Sequence, residues 1–457
     1  MEQIIKDLFP MNRCLLGEGY DNALEYLKQL IKLDVIEIPS GTELGTWTVP
    51  DEWIIRDAWV KFNGKKILDY KENPMCLTVC SEPVNKKVDL EELKKHLFVS
   101  DEMPDSTPYT YSFYEKNWGF NIPRNVAQKE KVGFWKKLKA ACKDCKDWEG
   151  GKLKVKIKGV KEEPKKYTDA LPEGEYEVFI DSEFRPGKMK LGVHTIQGKH
   201  DREILLFAHL DHPFQANDNL SGVACLTDLA TRISCDHTVK IIFCPETIGS
   251  IGYALTQDIS RVDFVIAVDI CGNDHNLLFQ KSFDNYNKLN RVASCAMQIL
   301  GKPYRKGNFR NVIGSDEYVF NDPEINIPGL LLSRHPYTEY HTSEDTPDKI
   351  NYEMIKETGD AILKIIEVYE KDYVPKRMFK GPLMRSRYDI QSFNPQINLN
   401  FDYLFYSIDG KKSLAELCGE LEFNFDFVYE ILEKLKKDGK VVCVPDTFKM
   451  TFKPITE

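Results

Sequence analysis

Long apolar runs are missing from this sequence of 457 residues. None approaches the roughly 18 residues that a membrane-spanning helix needs, so no such span is expected. The amino-terminal segment lacks the basic, apolar and small-residue succession of a secretory signal, and a cytoplasmic location is expected. Basic charge is also in short supply: 62 lysines and arginines face 71 aspartates and glutamates, a formal net charge of -9. That balance gives no general attraction for nucleic acid or anionic lipid. Lys129 to Lys166 is lysine-rich but interrupted by acids, the texture of a solvated surface. Internal repeats and low-complexity segments are absent too. Twelve cysteines spread over so long a chain do not form the dense framework of a small secreted domain, so reduced thiols are expected. Cys142 and Cys145 make a lone CxxC without a second pair at zinc-ribbon spacing, a weak case for a structural metal.

What is present is ordinary globular composition, 42% hydrophobic and 29% charged, with length enough for two or three domains. Leu24, Leu27, Leu30 and Ile31 share one face of a helix expected over Gly19 to Lys32, which the strand-like "DVIEIPSG" follows. From about Leu44 to Thr168 short runs such as "MCLTVC" and "LKVKIKG" sit between Pro, Gly, Asn and Asp signals, the mark of a β-rich module. After Tyr176 strands and helices alternate: "KLGVHTIQG", "EILLFAHLD", a helix from about Ser221 to Ile233, "VKIIFCPE" and "FVIAVDICG". Strands apolar through their whole length, with helices between them, mean an α/β sheet covered on both faces. Helices are expected over Tyr286 to Leu300 and Tyr352 to Tyr369. Beyond about Met384, three helical patterns and two short strands ending in "TFKMTFKP" read as a winged helix-turn-helix.

The stretch "LLFAHLDHPFQANDNLSG", Leu205 to Gly222, gathers two histidines and two aspartates within ten residues. His209 ends a strand, with Asp211 two residues on. Asp218 lies on a loop into a helix that Asn219 or Ser221 would cap. Glu246 follows the next strand, Asp269 the one after, and His341 opens the run to the last long helix. Singly, a histidine after a strand or an aspartate in an Asn-Asp-Asn run is more often structural. Together, these groups fall at successive strand ends of one α/β sheet, where such sheets build their sites. Nitrogen and carboxylate ligands in that number suit a cation such as Zn²⁺.

"AHLDH", "NDNLSG", "PETIGSIG", "VDICG" and "YHTSEDTPDKI", in that order over roughly Glu175 to Val374, resemble the motifs of the zinc aminopeptidase family that includes bacterial leucyl aminopeptidase and, as a single-zinc relative, glutaminyl cyclase. The flanking units are similar to an aminopeptidase-like branch of that family. The resemblance implies a zinc-exopeptidase-like mixed sheet formed by residues 1–43 and 169–380, an inserted β-rich lid over 44–168 and a winged helix-turn-helix over 385–457. It also implies a metallo-aminopeptidase or amidohydrolase in which Glu246 is the general base and Asp211 orients His209. His209, Asp218 and Asp269 would hold one metal, with Asp218 bridging and His341 serving a second.

One departure matters. The family has two adjacent acids, base then ligand, whereas Glu246 is followed by Thr247. A neutral hydroxyl is a poor Zn²⁺ ligand, so one tightly bound zinc and a weak or empty second site are expected. The substrate would be a peptide or small amide. Two alternatives stay open: a single-zinc acyl transferase or cyclase, and a degenerate core that senses a ligand and reads DNA through its winged helix. Against the second, Gln391 to Glu457 holds eight lysines and eleven acids, the wrong sign for a DNA binder. Contact with the enzyme core, or self-association through the C-terminal or inserted unit, fits that unit better.

Overall fold

The computed structural model describes residues 1–124, 171–390 and 395–446. The CxxC of Cys142 and Cys145, the lysine-rich Lys129 to Lys166 and the strand "TFKMTFKP" lie outside them.

An eight-stranded mixed sheet organises the chain. Its order is Asp34–Pro39, Lys188–Ile196, Thr238–Cys244, Glu203–His209, Val262–Asp269, Gly329–Ser333, Leu277–Gln280, Tyr304–Gly307. The four central strands run parallel and are buried almost throughout, which is why their sequences are continuously apolar. Side-chain alternation sends Ile204, Leu206 and Ala208 into one core and Leu205 and Phe207 into another. The first core is closed by the helices Leu220–Leu229, Lys288–Leu300 and Tyr352–Lys371, the last through Ile355, Ile362 and Ile365. The second is closed by Ile248 and Tyr253 of the helix Ile248–Thr256 and by Val319 and Phe320. Asp34–Pro39 pairs antiparallel with Lys188–Ile196, Pro39 opposite Lys188.

Between those two strands the chain makes a separate four-stranded antiparallel sheet in the order Lys65–Asp69, Glu52–Phe62, Glu175–Arg185, Val84–Asp89. Its third strand lies beyond residue 168, where the composition suggests that the β-rich module closes. Glu175–Arg185 alternates buried and partly buried positions along most of its length, and Tyr176, Val178 and Ile180 enter a core with Val60, Tyr109 and Phe120.

At the C-terminus, the helices Pro395–Ser407, Leu414–Leu421 and Phe425–Lys437 are present. Ser413 and Glu416 form a reciprocal capping box at the second. Leu404, Leu414 and Phe425 join the same core as Leu289 and Val292 of the helix Lys288–Leu300, so this unit is packed on the main sheet's helical layer. The strand Val441–Val444 pairs with Val374–Arg377, a strand that precedes the helices.

Candidate metal centre

The carboxyl ends of the central strands carry the polar groups. His209 and Asp269 are the last residues of neighbouring parallel strands, and Asp218 reaches them from the loop that leaves His209. That loop is held by buried partners at both flanks. The Arg13 guanidinium, wholly buried, donates to the carbonyls of Leu210 (2.9 Å), His212 (2.7 Å) and Gln215 (3.1 Å), and to Leu8. Asp345 accepts from the N–H groups of Asn217 (2.7 Å) and Asp218 (3.0 Å) and from the Tyr337 hydroxyl (2.8 Å). Asn219 caps the next helix by accepting from Gly222 N–H at 3.0 Å. A Cβ on Gly222 would lie 2.5 Å from the Val268 carbonyl, so only glycine lets the helix come so near the strand.

All six residues singled out in the sequence converge. His209 Nε2 lies 3.3 Å from Asp218 Oδ1 and 3.3 Å from Asp269 Oδ1. Atoms bound to a tetrahedral zinc at about 2.0–2.1 Å sit about 3.3 Å apart, so His209 stands at that spacing from both carboxylates, and the three donor atoms lie within 4.8 Å of one another. His341 Nε2 is 3.0 Å from Asp218 Oδ2, yet both atoms are buried and neither makes a hydrogen bond. These orphaned buried atoms and the nitrogen and carboxylate donor set fit a divalent cation.

Asp211 stands behind the cluster: its Oδ1 is 3.3 Å from His209 Nδ1 and accepts the Glu246 N–H at 2.9 Å. It therefore touches both the histidine and the base candidate. Burial pushes the Glu246 carboxyl up to about 8, against the pull of His209 and His212, although 26% of the side chain is exposed. A bound cation would pull it down again. The Thr247 N–H donates to Asp316 at 2.9 Å.

The inserted module contributes the rim. Tyr109 N–H donates to the His341 carbonyl at 2.8 Å and Ser343 N–H to the Thr107 carbonyl at 2.8 Å. The Tyr109 ring meets His212 and His341 edge-on at 5.3 and 5.1 Å. Tyr340 stacks on His341 at 3.9 Å, and Tyr111, 49% exposed, faces the opening.

Sequence reasoning gave no role to His212, the second histidine of the opening stretch. It is buried, with Nδ1 at 3.1 Å from Asp218 Oδ1 and Nε2 at 3.6 Å from Glu246 Oε2. Burial disfavours its charge, but Asp218 and Asp211 pull it up to about 9, which reports a strongly negative field. Arg13 and Asp345 were missed as well. Their contacts span 197 and 128 residues of sequence and leave no local signal.

Comparison with known proteins follows the same lines. Residues 2–372 match the family described as Domain of unknown function (DUF4910). A Clostridium acetobutylicum protein, provisionally named a polysaccharide biosynthesis protein with an aminopeptidase-like domain, is 29% identical over 377 residues, 81% of this chain and 77% of that one. A crystal structure from the same organism, provisionally named a peptidase, is 26% identical with a TM-score of 0.76, covering 97% of this chain and 96% of the other. A zinc aminopeptidase from Bacillus subtilis, 14% identical with a TM-score of 0.53, covers 80% of this chain and 92% of its own. The fold of this chain is thus the aminopeptidase-like one.

Proposed function

This chain belongs to the family described as a domain of unknown function, DUF4910, and on that footing we propose that it is a zinc-dependent aminopeptidase or related amidohydrolase. The observation that carries the reading is the convergence of His209, Asp218 and Asp269 at zinc-ligand spacing, with Glu246 on the same rim. Peptidases and aminopeptidases among the similar proteins support it.

His209, Asp218 and Asp269 would hold the ion, which when bound would lower the pKa of a water toward roughly 7 and polarise a carbonyl. Glu246, held by the Asp211 carboxylate at its own N–H, takes a proton from the attacking water and returns it to the leaving amine. Asp211 keeps His209 oriented through its far nitrogen. Tyr109, Tyr111 and Tyr340 surround the His341 ring and would crowd a bound substrate, which suits a small one with an unblocked amine. The clostridial relative is named for polysaccharide biosynthesis, so modified sugars stand beside peptides as substrates to assay.

The reading as a DNA-binding sensor finds no support in the packing. A helix-turn-helix sets the amino-terminal end of its second helix into the major groove. Here Phe425 is buried, and Asp426 lies 3.7 Å from Lys364 and 3.6 Å from Lys371 of the helix Tyr352–Lys371.

The test is a zinc-loaded, full-length protein assayed on aminoacyl amides and N-acylated amino sugars, before and after chelation. Hydrolysis of at least one amide, lost on chelation and regained with Zn²⁺, is expected. No turnover of any of them by protein that retains zinc would overturn the reading.

A further inference from the structure

We infer that His212 and His341, with Asp218 shared between two ions, form a second divalent-cation site in which His212 stands in for the carboxylate missing at Thr247. The inference rests on the metallohydrolase reading above and changes what that reading expects of the second site.

Three observations carry it. The donor atoms are close together: His212 Nδ1 is 3.1 Å from Asp218 Oδ1, His341 Nε2 is 3.0 Å from Asp218 Oδ2, and the trio lies within 4.8 Å. His341 Nε2 and Asp218 Oδ2 are buried without a hydrogen-bond partner, a costly state that an ion between them removes. Were a protonated His212 the only cation there, His341 would still be unpartnered. The charge also fits. Asp211, Asp218 and Asp269 are buried beside the two histidines His209 and His212, a concentration of negative charge that a second dication offsets.

The scaffold holds both imidazoles from behind. His212 and His341 have left-handed backbones, φ 68° and 52°, rare outside glycine and somewhat less so for histidine. Arg13 fixes the first through its carbonyl at 2.7 Å and Tyr109 the second at 2.8 Å. Two imidazoles and one shared carboxylate form a borderline donor set, which selects zinc, cobalt or nickel over magnesium, calcium or manganese.

The experiment is elemental analysis of full-length protein loaded with Zn²⁺, and separately with Mn²⁺, then freed of unbound metal, with folding checked by thermal unfolding. Wild type should retain about two zinc ions per chain and no comparable manganese. His212→Ala and His341→Ala should each retain about one. His341 is partly exposed, so its variant tests the same site where His212→Ala fails to fold. A single zinc in wild type, unchanged in both variants, would overturn the inference while leaving the first site and the proposed activity standing. Failure of the activity reading looks different: no zinc retained by any form, or retention indifferent to His209→Ala.

Discussion

Tyr109 and His341, 232 positions apart in the chain, are joined by one backbone hydrogen bond of 2.8 Å from the tyrosine N–H to the histidine carbonyl. The inserted module is thereby part of the wall of the metal centre, and its aromatic residues become testable.

Tyr111 reaches the opening without touching a ligand through its backbone. Tyr111→Ala should lower kcat/KM about 2- to 10-fold, the worth of one aromatic contact, mainly through KM, with zinc content unchanged. Steady-state kinetics beside elemental analysis checks it. Loss of zinc would mean that Tyr111 supports the ligands themselves.

Glu246→Gln keeps size and removes the base. Zinc retention should match wild type while turnover falls about 10²- to 10⁴-fold. Asp218→Ala should instead lose the metal. Equal failure of both variants in metal binding would remove Glu246 from the role of base.

Arg13→Met should destabilise the fold by about 3 kcal/mol or more, since four carbonyls each lose a buried charged donor, and should weaken zinc retention because the loop from Leu210 to Gln215 loses its anchor. Denaturant unfolding and equilibrium dialysis read the two effects separately. A variant as stable as wild type would show that the loop holds itself.

A pH effect on stability is expected far from the centre. His237 bonds Asp263 at 3.0 Å and Glu370 at 2.9 Å. Burial lowers its pKa, but those two bonds outweigh it and leave the value raised. A raised folded pKa stabilises fully below the unfolded value near 6.5 and the gain is lost as pH rises through the folded one. Asp263, where burial is outweighed by bonds from His237 and Arg202, is held at about 2, so its share is lost only as pH falls from about 3.8 toward 2. The wild-type urea midpoint should fall between pH 6 and 9, and in His237→Gln that fall should be smaller. The same slope in both would place the titration elsewhere.

Much of the site was readable from position: His209 and Asp269 end apolar strands and Glu246 lies two residues past one, while Asp218 and His341 sit on the loops that follow such strands. His212 carries no such mark. The role of a side chain three residues past a strand end depends on a left-handed turn that the letters do not disclose. Arg13 and Asp345 act through carbonyls and N–H groups distant in sequence, and no periodicity records such contacts. The α/β alternation gave the main sheet, whereas Glu175–Arg185 was easily misjudged. Its partner Glu52–Phe62 lies across the whole insert, and local composition carries no trace of that pairing.

The pairing of Pro39 with Lys188 makes the entire insert, seen from the main sheet, an overgrown hairpin turn. Closing so long a loop is thermodynamically mild. Each doubling of length costs only about 0.6 kcal/mol, so extending a turn of a few residues to this size adds about 3 kcal/mol. The kinetic consequence is larger. The parallel strands from Glu203 onward can assemble from contacts close in sequence, while Asp34–Pro39 must wait for its partner to arrive across the loop. The edge of the sheet should therefore be the last part of it to gain protection from hydrogen exchange during refolding.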